Sequence, residues 1–274
     1  MRAVAGGTVR SDLETAIGVV LTSRSARDMI LEAPDSFAAH FDLAPAEAAA
    51  LAQMAGDLVS LTPGFLQKRE RGLRRTFAVT LSLLGDEVDP LVEDYSDAFA
   101  PVDSTAAETL RFADFLVEET RELAGELPYG EIVADVARYE RLRIRAFTAE
   151  GPLWPEPERA PLDPRHLDQG RPLWLHRSAA VEAFGWDVRT VRSPQILPRL
   201  RPDPANLLCF QRGEEGEGVV LRIDDESARA VELIALRPGE VNAAEIGEII
   251  GSHRPPEALL GKLIAQGVIR GAES

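Results

Sequence analysis

Cysteine, long apolar runs and basic charge are all scarce in this 274-residue chain. The single cysteine, Cys209, excludes an internal disulfide framework and is typical of a protein from a reducing compartment. No apolar run approaches the roughly 20 residues that a membrane-spanning helix needs. The apolar stretch Ile17–Leu21 is too short for a signal peptide and follows two acidic residues. We therefore expect a cytoplasmic protein that does not enter a membrane.

The charge balance narrows the class of partner. Acidic residues outnumber basic ones by 45 to 30, which gives a formal net charge of −15. Such a chain repels nucleic acid and anionic lipid unless a local basic patch overrides the field. The apolar fraction of 45% is that of an ordinary globular protein. A protein, a peptide or a small molecule is the expected partner.

Motifs for catalysis and metal binding are missing as well. The sequence contains no nucleophile elbow GxSxG, no phosphate loop GxxxxGK[ST] and no GxGxxG. The four histidines (His40, His166, His176 and His253) stand far apart, and none has a spacing that places two imidazoles on one metal. We predict no catalytic residues, no metal ligands and no cofactor in this chain. A site whose ligands assemble only in three dimensions stays an alternative.

The chain divides by composition into a helical part, a proline-rich segment and a mixed part. Six prolines occur between residues 151 and 172, and proline interrupts both helices and central strands. We place the domains at 1–150 and 173–274, joined by a linker at 151–172. Apolar residues three and four apart predict helices in the first domain over residues 35–41, 45–58, 65–84, 91–99, 105–123 and 129–147.

The periodicity changes after the linker. Alternating apolar and polar residues predict strands at 186–191, 207–212 and 219–223, with the last two joined as a hairpin by the glycine-rich turn 213–218. Helices are predicted at 226–236, 243–250 and 256–266, and the tail at 268–269 packs back. The expected fold class is α+β, with a mostly helical N-terminal domain followed by a small winged-helix-like domain that has a three-stranded antiparallel sheet.

Two basic clusters interrupt the acidic background. One lies on a predicted helix between Lys68 and Arg75, and the other comprises Arg138, Arg141, Arg143 and Arg145. Arg138, Arg141 and Arg145 share one helical face through spacings of three and four residues. These arginines either pair with acids of their own domain or dock a partner, and the sequence does not separate the two.

The order of landmarks in the first half resembles a helical domain once described as DNA-binding. That domain typically occurs in partner subunits of multinuclear non-heme iron oxidative enzymes, which modify ribosomally made peptides, as in methanobactin and thiaglutamate biosynthesis. The resemblance covers residues 30–150, and this chain departs from it at Ala78, where the family usually has proline. The landmarks are Phe37, Phe41–Pro45, Glu47, Arg71, Thr76–Thr80, Leu84–Gly85, Tyr95, Phe112–Leu116, Leu127–Tyr129 and Ala137–Glu140.

The C-terminal part is similar, separately, to the small recognition element of peptide-modifying enzymes. The strand at 219–223, followed by helical patterns at 230–234, 244–250 and 259–269, matches its order of one strand and three helices. Together the two resemblances imply a non-catalytic subunit that binds a precursor peptide and forms a heterodimer with an iron enzyme. The iron is expected in that enzyme.

The implied mode of recognition is β-augmentation, in which an extended leader peptide adds as a strand beside residues 219–223 and lies against the third helix. Arg222, on the face opposite Leu221 and Ile223, would read acidic leader residues. The basic face would dock the enzyme. The predicted peptide-binding residues are Val219, Val220, Leu221, Arg222, Ile223, Leu259, Leu260 and Leu263, and the predicted docking residues are Arg138, Arg141 and Arg145.

Two other functions stay open. The first is a transcriptional regulator whose winged helix binds in a DNA groove. The predicted third helix, however, has only one basic residue, Lys262, with Arg254 just before it. A hydrolase or oxidase with ligands distant in sequence is the other alternative. Gel shifts test the first and metal analysis of the purified chain tests the second.

Overall fold

The fold is mixed α and β, as the sequence predicts. The structure is a computed structural model that describes residues 12–102, 104–148, 162, 170–212 and 218–271. These residues form two compact units, residues 1–133 and 134–274. The division falls inside a helix and not in the predicted linker at 151–172, most of which lies outside the described residues.

The first unit is helical. Its first two helices were not predicted, although the first is rich in apolar residues and the side chain of Ser23 caps the start of the second. Its helices are α1 (Asp12–Thr22), α2 (Arg24–Glu32), α3 (Pro34–His40), α4 (Pro45–Thr76), α5 (Ala78–Leu84), α6 (Val88–Ala98), α7 (Thr105–Glu122) and the start of α8 (Gly130–Phe147).

Helix α4 replaces two predicted helices. The prediction of separate helices over 45–58 and 65–84 is wrong, because α4 continues through Pro63 and ends only at Thr76. A proline removes one backbone N–H from a helix. Here the ring of Pro63 lies on an exposed face, and the neighbouring Thr62 hydroxyl donates to the carbonyl oxygen of Leu58 at 3.1 Å. The same hydroxyl lies 3.0 Å from the carbonyl oxygen of Val20 in α1, which ties the two helices together.

Aromatic side chains fill the core of the first unit around Tyr95. The ring of Phe112 meets that of Tyr95 edge-on, with centroids 4.8 Å apart, and Phe77 contacts Phe112 in the same way at 5.1 Å. The guanidinium of Arg69 lies over the Tyr95 ring, 4.9 Å from its centre. Arg69 also pairs with Glu108 at 2.6 Å, so a buried ion pair joins α4 to α7.

The second unit contains both sheets. It begins within α8 and continues with β1 (Leu173–Leu175), β2 (Ala180–Trp186), β3 (Pro202–Arg212), β4 (Gly218–Ile223), α9 (Asp225–Leu236), α10 (Ala243–Ile250), α11 (Pro256–Ala265) and β5 (Ile269–Gly271). One sheet has the strand order β2-β3-β4, antiparallel throughout, and the other pairs β1 with β5. The predicted hairpin, the three helices and the returning tail are all confirmed.

The predicted first strand at 186–191 is wrong. The strand is β2, which ends at Trp186, and residues 188–190 form a 3₁₀ turn. Val188 and Val191 are both buried and lie three residues apart. This spacing places both side chains on one side of a 3₁₀ turn, whereas in a strand they would point to opposite faces. In β2 only Phe184 is buried, so this strand has little alternation to reveal it.

The three-stranded sheet is covered on both faces. Leu221 and Ile223 belong, with Cys209, to the cluster that α9, α10 and α11 complete. On the opposite face, Tyr139 of α8 contacts Phe184 and Phe210, with ring centroids 6.3 and 5.6 Å away. The residues of α8 from Ala134 onward therefore pack as a layer of the second unit, which explains why the division precedes the proline-rich segment.

Candidate functional site

Strand β4 forms one edge of the three-stranded sheet. Its partner β3 lies on one side, and no strand among the described residues pairs with the other side. In an antiparallel pair, alternate residues direct their backbone groups toward and away from the partner. Lys262 Nζ lies 2.5 Å from the carbonyl oxygen of Arg222, so that oxygen faces outward. The backbone groups of Val220 face outward with it, and those of Leu221 face β3.

Helix α11 is fixed beside the end of this strand. The Ser227 hydroxyl donates to the carbonyl oxygen of Leu259 at 3.1 Å, and Arg254 pairs with Asp224 at 2.6 Å. Asp224 is also the N-cap of α9, so the turn that follows β4 is held at several points. The ammonium of Lys262 is thereby placed over the strand edge.

The other edge of the sheet differs because side chains of α8 bind it. The Arg138 guanidinium donates to the carbonyl oxygen of Ala183 at 3.0 Å. Asp135 accepts a hydrogen bond of 2.8 Å from the backbone N–H of Gly185, at the irregularity near the end of β2. Capping of outward backbone groups protects an edge from pairing with another chain. Among the described residues, the sheet therefore has one edge capped at two positions by α8, and at its other edge, β4, Lys262 contacts one outward carbonyl oxygen.

The predicted peptide-binding residues separate into two groups. Leu259, Leu260 and Leu263 are 0–2% exposed and belong to the core, so their side chains do not line an open pocket. The prediction that they select peptide side chains is wrong, because the apolar face of α11 packs against the core of the second unit. Ile223 is also buried. The partly exposed residues are Val219, Val220, Leu221 and Arg222.

Arg222 already has a partner within the sheet. Its guanidinium pairs with Asp203 of β3 at 2.8 Å, and its side chain is 41% exposed. Its position on the face opposite Leu221 and Ile223 agrees with the alternation expected from the sequence. A carboxylate on an added strand would therefore compete with Asp203 for this arginine.

The predicted docking face is also partly engaged. Arg138 pairs with Asp135 at 2.8 Å and with Glu182, and it lies 5.1 Å from the centre of the Phe184 ring. For Arg138 the interpretation as pairing within the domain is confirmed and docking is not supported. Arg141 is half-buried and Arg145 is exposed near the end of α8. The three do not act as one open cationic face.

Asp135 is a site residue that the sequence analysis missed. Burial raises the pKa of its carboxyl group above the ordinary value, while the Gly185 N–H and Arg138 oppose the shift. The only signal in the sequence is its position one turn before Arg138 on α8, and that spacing is common on any helix surface. Its burial depends on contact with a strand about 50 residues away, which no local pattern shows.

The single cysteine and the central histidine are structural. Burial raises the pKa of the Cys209 thiol to about 12, and its side chain is fully buried. The apolar residues on either side of Cys209 in the sequence, Leu207, Leu208 and Phe210, favour a buried thiol, and the structure confirms it. His176 is 4% exposed, and its Nδ1 lies 2.8 Å from the hydroxyl of Ser178. His176 is therefore hydrogen-bonded within the fold, whereas His166 lies outside the described residues.

Two features are absent from the described residues, a cluster of metal-binding side chains and a membrane-spanning helix. In that part of the chain, no three histidine, cysteine or acidic side chains come together in a way that would hold a metal ion. Among the helices that the structure describes, none is long and apolar enough to cross a membrane.

No family model matches the sequence, and no curated protein matches it. The resemblance to partner subunits of iron oxidative enzymes stays a prediction.

Proposed function

We propose that this chain is a leader-peptide-binding partner subunit, which delivers a ribosomally made precursor peptide to a multinuclear non-heme iron oxidative enzyme in the cytoplasm. The chain itself is non-catalytic in this proposal, and the iron belongs to the partner enzyme. The observation that carries the proposal is the difference between the two edges of the β2-β3-β4 sheet. One edge is capped by Arg138 and Asp135, and the other leaves the outward backbone groups of Val220 without a strand among the described residues.

The mechanism is the addition of a fourth strand beside β4. The peptide backbone exchanges hydrogen bonds with the outward N–H and C=O groups of Val220, and with those of Arg222 once Lys262 has moved from the carbonyl oxygen. These bonds are independent of the peptide sequence. Choice among peptides then depends on the partly exposed side chains of Val220 and Arg222 and on the ammonium of Lys262, since the leucines of α11 are buried.

DNA binding is the weaker candidate. The basic side chains near α11 already have partners within the protein. Arg254 pairs with Asp224, and Lys262 contacts the Arg222 carbonyl oxygen. Groove binding depends on several phosphate contacts from free cations, and the chain carries a net charge of −15. No observation favours it over the peptide.

The proposal is tested by titrating the full chain into a fluorescein-labelled synthetic peptide. The peptide covers the leader of a short precursor encoded beside the gene for this chain, and anisotropy reports binding. We expect saturable binding in the micromolar range. No binding at high micromolar concentration contradicts the proposal. Co-purification with the neighbouring iron enzyme tests the second half of the assignment.

A matched pair of variants locates the site. Val220→Pro removes an N–H that faces away from β3, so the ladder with β3 stays intact while the added strand loses a donor. Val220→Thr keeps the N–H and the branched shape. We expect the proline variant to weaken peptide binding by about tenfold or more and the threonine variant by less than about threefold. Equal affinities for the two variants would place the peptide elsewhere.

A further inference from the structure

A second, independent site lies in the first unit, between α4 and the start of α7. Here a groove of about 580 Å³ opens between the two helices and the segment 101–102. Its walls include Phe65, which is 44% exposed, and Val102, which is 37% exposed. Small-molecule sites typically have volumes of about 300–1,000 Å³ and mostly apolar walls, so this groove has the size and lining of a ligand site.

The charge of the groove is opposite to that of the chain. Among the described residues, its lining carries Lys68, Arg69 and Arg75 against one acid, Glu108, which sum to a charge of +2 on a protein whose total is −15. Arg69 is already bound, since it pairs with Glu108 and donates to the carbonyl oxygen of Phe99 at 2.9 Å.

Two cations of the groove stay available. Lys68 and Arg75 are exposed, and neither makes an ion pair with any other residue in the described part of the chain. They lie two turns apart on one face of α4, so both border the groove. An apolar cavity with uncompensated cations at its rim is complementary to an amphiphile with an anionic head.

A glycine near the C-terminal end of α4, Gly72, lies beside the groove. Gly72 lines the cavity, and a Cβ atom built at this position meets no other atom within 4 Å. Glycine is disfavoured in a helix interior because it loses more conformational entropy than other residues. The helix therefore carries a destabilising residue at the point where a side chain would project into the open space between Lys68 and Arg75.

We propose that this groove binds a small amphiphilic carboxylate. The alkyl or aryl tail lies along Phe65 and Val102, and the carboxylate lies at the rim within reach of Lys68 and Arg75. The start of α7 at Thr105 also lines the groove, and the positive end of that helix dipole favours the same charge. The proposal rests on the first unit alone and does not depend on peptide binding at β4.

The test is isothermal titration of the full chain with three probes of equal tail length: decanoate, decanol and decyltrimethylammonium. We expect decanoate to bind saturably, decanol to bind at least about tenfold more weakly, and the cation not to bind, because the charge-assisted hydrogen bonds to Lys68 and Arg75 favour the carboxylate. Equal binding of all three probes, or of none, overturns the proposal.

Two matched pairs of variants place the ligand. Gly72→Met fills the groove, whereas Gly64→Met adds the same side chain at a position of α4 outside it, where a Cβ atom also meets nothing within 4 Å. We expect the first variant to abolish decanoate binding and the second to leave it unchanged. Both variants should keep the far-ultraviolet circular dichroism of the parent chain. Loss of binding in both, or in neither, contradicts the assignment.

The charge is tested in the same assay. Lys68→Gln and Arg75→Gln should each weaken decanoate binding by about tenfold, while Arg71→Gln, an exposed position on α4 that does not line the groove, should not. An equal loss with Arg71→Gln would show that only net charge matters, which overturns the specific site.

Discussion

Asp135 and Arg138, one turn apart on α8, together bind two outward backbone groups of β2. The carboxylate accepts from the N–H of Gly185 and the guanidinium donates to the carbonyl oxygen of Ala183. Charged side chains at a sheet edge are a common protection against pairing with another chain. Among the described residues, these two side chains cap the β2 edge of the sheet, and β4 is the edge to which the proposed function assigns the added strand.

Removal of the guanidinium should destabilise the second unit. Arg138→Ala leaves the buried Asp135 carboxylate and Glu182 without their cation, so we expect the free energy of unfolding to fall by about 2 kcal/mol. Urea unfolding followed by circular dichroism measures the change. Arg145→Ala, an exposed arginine on the same helix, is the control and should stay within about 0.5 kcal/mol of the parent. Equal stability of the two variants would mean that the cap contributes nothing.

The carboxyl group of Asp135 should give the stability an unusual dependence on pH. Its pKa in the folded chain lies above the ordinary value of 3.8, chiefly through burial. The folded chain therefore holds this proton more tightly than the unfolded chain. The resulting stability is fully present below about pH 4 and is lost as the pH rises through the folded pKa.

Asp135→Asn isolates this contribution, because an amide does not titrate in that range. The parent chain should lose stability relative to the variant as the pH is raised from about 4 to 7. Urea unfolding of both proteins across this range gives the difference directly. A difference that instead grows in favour of the parent would show that Arg138 and the Gly185 N–H outweigh the burial.

The sequence predicts those parts of the second unit that are set by local rules. The β3–β4 hairpin was predicted because a glycine-rich segment separates two apolar runs. The predicted helix at 243–250 has the bounds of α10, where the structure shows a capping box of Asn242 and Glu245 at its start. Strand β2 was not predicted because its residues lack an alternating pattern, and its formation depends on pairing with β3. The cover of α8 over the sheet depends on Tyr139 meeting Phe210, which are 71 positions apart in the chain.

The candidate site was predicted in its position and only partly in its residues. An edge strand followed by three helices is readable from the order of elements. The sequence does not show which apolar residues of α11 face the core. Leu259, Leu260 and Leu263 have a helical spacing that suits a core and a binding groove equally. Lys262, whose ammonium contacts the β4 edge, was predicted only as a contact for DNA.

Lys262 should control access to the strand edge more than it stabilises the fold. Lys262 is exposed, so water competes with the Arg222 carbonyl oxygen for hydrogen bonds to its ammonium group. Lys262→Met should therefore change the free energy of unfolding by less than about 1 kcal/mol. Under the proposed function it should also change the affinity for the leader peptide. A loss of several kcal/mol in urea unfolding would show that the lysine is structural.

Cys209 should not react with thiol reagents in the folded chain. Its side chain is fully buried and its pKa is about 12, so almost no thiolate exists at pH 8. We expect no absorbance change when the native protein is mixed with Ellman's reagent and the release of about one equivalent after unfolding in guanidinium chloride. Rapid reaction of the native chain would show that the sheet opens easily around β3.

Two glycines in the second unit should respond to alanine in opposite directions. Gly239 has a φ of +74°, and a Cβ atom there would lie 2.4 Å from the Trp174 ring. Gly239→Ala therefore combines backbone strain with a clash, and we expect a loss of about 2 kcal/mol in unfolding free energy. Gly247, inside α10, has open space around its Cβ position, so Gly247→Ala should raise stability by about 0.5–1 kcal/mol through helix propensity. Thermal unfolding of both variants beside the parent chain measures the contrast, and a stabilising effect at Gly239 would contradict the contact between the turn and Trp174.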